Sequence, residues 1–105
     1  MGSFVHVLEV TVAAEATRDL VARIRATMEA IELANQRFRG SAILVSDDET
    51  EVAIVSEWAD RAAWGAAEWE ARIQDAMVDV FQKAEHVESH SYSVAFRSNS
   101  GNHPG

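Results

Sequence analysis

The order of elements is the strongest constraint on the fold: strand, helix, strand, strand, helix, strand, with strands that are apolar on both faces and only two helical stretches to cover them. Residues Phe4 to Val12 alternate with the period of two that an extended chain imposes, which sets Phe4, His6, Leu8, Val10 and Val12 against Val5, Val7, Glu9 and Thr11. Both sets contain large β-branched or aromatic groups. Helices shield one side of a sheet, so the other side needs a second layer, and the simplest layer is another copy of the same chain.

The remaining elements follow from the same periodicities. Thr17 is placed to cap a helix in which Leu20, Val21, Ile24, Met28 and Ile31 recur at steps of three and four, fraying near Leu33 to Asn35, with Gly40 ahead of the next strand. Ala42 to Val45 is a short apolar run, Ser46 to Thr50 has turn chemistry, and Val52 to Trp58 returns as the second strand of a hairpin with Val52, Ile54, Ser56 and Trp58 on one side. Asp60 stands at an N-cap, and Ala62 to Ala84 reads as one long helix bent near Gly65, its inward stripe comprising Trp64, Ala67, Ala71, Met77, Val80, Phe81 and Ala84. His86 to Phe96 alternates again, with Glu88, His90 and Tyr92 on one face and Val87, Ser89, Ser91 and Ser93 on the other.

This pattern predicts an α+β ferredoxin-like split βαβ domain (βαββαβ) over residues 1–97, a four-stranded antiparallel sheet with two helices on one face and with the first and last strands taken as the central pair. Residues 98–105, which hold the only proline, read as a disordered tail that includes His103. Twofold pairing of the uncovered faces into a homodimer, burying ~600 Å² of apolar surface per chain, contributes on the order of 15 kcal/mol before the costs of association.

Composition narrows the function classes. A net charge of -8, from 17 acidic against 9 scattered basic residues, repels phosphate backbones and argues against a nucleic-acid partner. The absence of cysteine excludes disulfides and thiolate zinc sites and fits a reducing, cytoplasmic setting. Neither a signal peptide nor a membrane span is read in the sequence.

The stretch from Val52 to Trp64, VAIVSEWADRAAW, has a strand ending in Trp58, an acidic Asp60 two places on, then Ala62 and the bulky Trp64 inside the next helix. It resembles the strand-to-helix junction of the antibiotic biosynthesis monooxygenase family, whose element order the chain also resembles across residues 4 to 97. The resemblance implies a dimeric α+β barrel with a pocket in each subunit, oxidising aromatic polyketides with molecular oxygen and without metal or flavin. Many relatives carry His or Trp nine residues after the strand-end Trp, where this chain has Ala67 followed by Glu68 and Trp69. Haem-degrading relatives use a helix Trp there and a His beyond it. No histidine lies between Trp58 and Ala84, which disfavours haem, although His86 or His90 offers an iron ligand in principle.

Oxygenation without a cofactor needs a dry pocket, a proton acceptor and room for oxygen. His6, His90 and Tyr92 are the candidate catalytic residues: on neighbouring strands facing the helices they would converge under Trp64, where a histidine of near-neutral pKa can accept a proton. Trp64 is the leading substrate wall, with Trp58 as a second wall or a strand-end plug and Trp69 at the pocket rim or a dimer contact. Glu68 serves as an acid if buried or as an i,i+4 partner of Arg72 if not; Phe38 would close the pocket from the exit of the first helix, and Arg39 would pair with an anionic phenolate. No metal site is read, since His86 and His90 on one strand stand about 13 Å apart. A ring-closing cyclase on the same fold and a non-catalytic dimeric ligand-binding or stress-response module remain as alternatives.

Overall fold

The computed structural model describes residues 3–98. Its elements are β1 (Phe4–Thr11), α1 (Ala14–Ala34), β2 (Phe38–Val45), β3 (Glu51–Trp58), α2 (Arg61–Ala67), α3 (Ala71–Lys83) and β4 (His86–Ser93). The strands form one antiparallel sheet in the order β2-β3-β1-β4, the ferredoxin-like arrangement expected. The inner strands are β1 and β3, and β4 is an edge, which corrects the expectation that the first and last strands form the central pair.

The long second helix is in fact two, broken at Glu68 to Glu70 rather than bent at Gly65, which lies inside α2. Periodicity explains the break. At about 100° per residue, an unbroken helix would turn Ala63 and Ala67 roughly 125° away from the mean direction of Ile73, Ala76 and Val80. Re-aiming the chain between them lets both stripes pack inward: Ala63, Ala67, Ala76 and Val80 are buried and Ile73 is packed against the core. Asp60 caps α2 as expected, its Oδ1 accepting from the Ala63 N–H at 2.9 Å, while Gln74 Nε2 donates to the Glu68 carbonyl at 2.5 Å across the break.

Thr17 is not the cap of α1, which starts three residues earlier after Ala13. It lies buried within the first turns, where its hydroxyl donates to the Glu49 carbonyl at 2.5 Å. Glu49 takes a left-handed φ of 62° in the β2–β3 turn, so this bond ties the hairpin tip to the start of α1. Strand β2 begins at Phe38, four residues before the sequence pattern showed it, because a bulge between Phe38 and Gly40 interrupts the alternation; Gly40 has φ 154°, a conformation that favours glycine. Strand β4 ends at Ser93, short of Phe96. The tail expected over 98–105 lies, apart from Ser98, outside the described residues.

On the helix-facing side the register aligns Ser41, Ser56, His6 and Ser91 in one row across all four strands. This polar row divides the core. On one side of it Leu8, Val10, Val52 and Ile54 pack with Leu20, Ile24 and Val80; on the other, Phe4, Phe38 and Trp58 pack with Ile31, Ala63 and Ala67. The opposite sheet face carries Val5, Val7, Ala42, Leu44, Ala53, Val55 and Tyr92, and it has no helix over it among the described residues. Leu44 and Tyr92 there are more than half exposed, at 56% and 53%.

Candidate functional site

A cavity of about 400 Å³ lies over the polar row, between the sheet and the three helices. That volume falls within the range of about 300–1,000 Å³ usual for small-molecule sites. Its walls are mostly apolar, with Met28 and Ile31 from α1, Trp64 from α2 and Ile73, Met77 and Phe81 from α3. His6, Ser56, Ser89 and Glu68 are among the few polar groups that reach it. The gap has a plain origin: Ser56, short and set between the two apolar clusters, does not fill the space beneath the helices.

His6 extends from the inner strand β1 toward α2, where its ring stacks on Trp64 with centroids 4.9 Å apart and planes 29° apart. Phe4 meets the same indole at 5.4 Å, and Arg61 lies 4.9 Å over the Phe4 ring. His6 Nε2 and Ser89 Oγ are 2.7 Å apart, so the edge strand β4 fixes the imidazole from the other side. Burial holds the His6 pKa below its ordinary 6.5; the negative charge of Glu68 opposes that shift, and the charge of His90 adds a smaller lowering. The ring is therefore neutral at pH 7, the state in which it can accept a proton.

Trp58 is buried at the end of β3, where its indole N–H donates to Ser56 Oγ at 3.0 Å and its ring meets Phe38 edge-on at 4.9 Å. It is both plug and wall, since part of it lines the cavity. Phe38 is buried in the second cluster and does not line the cavity, so it does not close the site as expected. Arg39, the residue inside the bulge, is exposed and also does not line it. Trp69 stands 77% exposed in the helix break, outside the cavity lining. Glu68, at the C-terminal end of α2, does line the cavity, whereas Arg72 is paired with Glu70 at 3.5 Å.

The expected convergence of His6, His90 and Tyr92 under Trp64 is overturned. In the β1–β4 register His90 pairs with Val7 and Tyr92 with Val5, which sets both rings on the uncovered face, while His6 and Ser89 face the helices. His90 and Tyr92 neighbour each other at 6.3 Å there. Glu88 lies beside them, 2.9 Å from His86 Nε2 and 3.5 Å from His90 Nε2, and the His86 hydrogen bond holds its carboxyl below the ordinary carboxylate range. The residues missed in the sequence are Ser56 and Ser89. Ser56 carried a signal, a serine among the inward Val52, Ile54 and Trp58, whereas Ser89 lies on a face of repeated serines and carried none.

No protein-family model and no curated protein matches the sequence. Solved structures do match its fold. A Nitrosomonas europaea protein provisionally described as an antibiotic biosynthesis monooxygenase superposes with a TM-score of 0.81 over 94% of this chain and 97% of that one, at 16% identity. A variant of SnoaB, a cofactor-independent oxygenase from Streptomyces nogalater, gives 0.80 over 92% and 97%, at 14% identity. A Shewanella oneidensis protein reaches 19% identity with a TM-score of 0.77, covering 89% of this chain and 91% of that one. The chain thus has the ferredoxin-like α+β fold seen in proteins described as antibiotic biosynthesis monooxygenases. Among the described residues no helix is long and apolar enough to cross a membrane.

Proposed function

We propose that the protein is a cofactor-independent monooxygenase that converts an anthrone-type polycyclic aromatic to a quinone, as a cytoplasmic homodimer in the biosynthesis of an antibiotic or related secondary metabolite. The observation that carries this reading is a neutral, partly buried imidazole stacked beneath an indole in the wall of a mostly apolar cavity. The likeness in fold to SnoaB, a cofactor-independent oxygenase, supports it. A planar substrate lies against Trp64 and the methionine and isoleucine walls, and His6 takes a proton from the substrate. The resulting carbanion reduces molecular oxygen, one oxygen atom ending as the new ring carbonyl and the other, with the two hydrogens of the oxidised carbon, as water. The protein supplies the base, the orientation and the exclusion of bulk water; the electrons come from the substrate.

Pairing of two sheets through the uncovered apolar face completes each protomer, with His90 and Tyr92 at that contact. Oxygen uptake with anthrone, measured after chelation, tests the reaction. Sustained uptake that falls at least about tenfold in His6→Gln is the expected result. Binding of anthrone without uptake would instead favour the cyclase or the ligand-binding module.

A further inference from the structure

We propose that Ser56 holds and orients the oxygen of a keto- or hydroxy-substituted aromatic ligand in the cavity, which rests on the aromatic substrate proposed above. Only two polar side chains among the described residues are more than nine-tenths buried, Thr17 at 2% and Ser56 at 5% exposure. Thr17 donates its hydroxyl hydrogen to the Glu49 carbonyl. Ser56 differs: it accepts the Trp58 indole N–H at 3.0 Å, and among the described residues its own hydrogen has no acceptor. Buried hydroxyl hydrogens are ordinarily paired, so an open donor in the wall of a cavity is a position for a ligand acceptor.

The surroundings make Ser56 a directed donor. The Trp58 N–H occupies one lone pair of Oγ and polarises the O–H, which strengthens its donation. His6 stands directly across from Ser56 in the β1–β3 register, and the cavity covers both. A ring oxygen held by Ser56 therefore sets the adjoining ring beside the imidazole and under Trp64. Ser89 cannot replace it in this role, because it is exposed and already engaged with His6 Nε2. The cavity consequently selects oxygenated tricycles over hydrocarbons of the same shape.

Anthraquinone and anthracene are the probes, two flat tricycles differing in their carbonyl oxygens, with binding to the full chain read by quenching of tryptophan fluorescence. The wild type is expected to bind anthraquinone about fivefold to tenfold more tightly than anthracene, the effect of one net hydrogen bond. Ser56→Ala should erase that preference while leaving anthracene binding unchanged, and Ser56→Thr, which keeps the hydroxyl, should retain it. The infrared carbonyl stretch of bound anthraquinone should move to lower wavenumber in the wild type and not in Ser56→Ala. Equal wild-type affinity for the two probes, an equal loss of both in Ser56→Ala, or an unshifted carbonyl overturns the proposal while the aromatic cavity stands. Failure of both probes to bind the wild type removes the aromatic reading and this one with it. Should Ser56→Ala not fold, the wild-type preference and carbonyl shift still decide the matter.

Discussion

Replacing Val55 by glutamate separates a sheet face that is bare in solution from one covered by a second chain. Val55 occupies the middle of the uncovered face, flanked in register by Val7 on β1 and Ala42 on β3's other neighbour, β2. If the face is bare, the change costs no more than a difference in strand propensity, about 1 kcal/mol at most. If a twofold partner covers it, each copy loses the burial of a valine, worth ~1.5–3 kcal/mol. Twofold symmetry counts that loss twice, so association weakens by ~3–6 kcal/mol, or on the order of 10²–10⁴ in Kd, before any cost of desolvating the carboxylate. Sedimentation velocity over a range of concentrations reads the result against the 11.5 kDa mass of one chain. The wild type should sediment as a dimer and Val55→Glu as a monomer with an unchanged circular dichroism spectrum. A wild type that runs as a single chain at every concentration, or a variant that dimerises as well as the wild type, refutes the reasoning.

Three further outcomes follow from the site and its supports. The folded His6 has a pKa below its ordinary 6.5, so on acidification the unfolded chain takes up that proton first; this contribution to stability is complete above the ordinary value and is lost as the pH falls through it toward the lowered one. His6→Gln should flatten that part of the melting-temperature profile, and a wild-type profile no steeper than the variant's would contradict the assignment. Trp64→Leu removes the ring stacked on His6 and should weaken anthraquinone binding about tenfold in the quenching assay, with Trp58 still reporting; unchanged affinity would place the ligand elsewhere. Thr17→Val deletes the bond between α1 and the hairpin tip and should cost about 1–2 kcal/mol in urea denaturation, whereas equal midpoints would show that the tie contributes nothing.

Strand faces were legible in the sequence because a period of two survives any register, so the inward set Phe4, His6, Leu8 and Val10 and the Asp60 cap could be read directly. The pairing of faces between strands was not. Alternation puts His90 and Tyr92 on one side of β4, yet it does not say which side meets the helices; that depends on how β4 lies against β1. The break at Glu68 to Glu70 was hidden for a related reason. A single apolar stripe fits Ala62 to Ala84 only loosely, and two shorter stripes out of phase with each other describe the same residues better. Phe38 and Arg39 stand outside the cavity lining because Phe38 packs on Trp58 at the end of the sheet and Arg39 sits in the bulge before Gly40, and a bulge leaves only a glycine as its sequence mark.

The polar row is what connects fold to function. A sheet face that packs under helices gains most from uninterrupted apolar side chains, and here the flanking rows, with Leu8 and Ile54 on one side and Phe4 and Trp58 on the other, follow that rule. His6 and Ser56 interrupt it at the two inner strands, where burial is deepest and a polar group is most unfavourable. Partners offset the interruption only in part: Ser89 and Trp64 hold the imidazole, Trp58 satisfies one side of the Ser56 hydroxyl, and the space between the two apolar clusters stays open. Stability alone gives no reason for such an arrangement. A ligand with an apolar body and an oxygen at its edge would give one, since it would fill the gap, meet the Ser56 hydroxyl and set its ring beside the imidazole in a single pose.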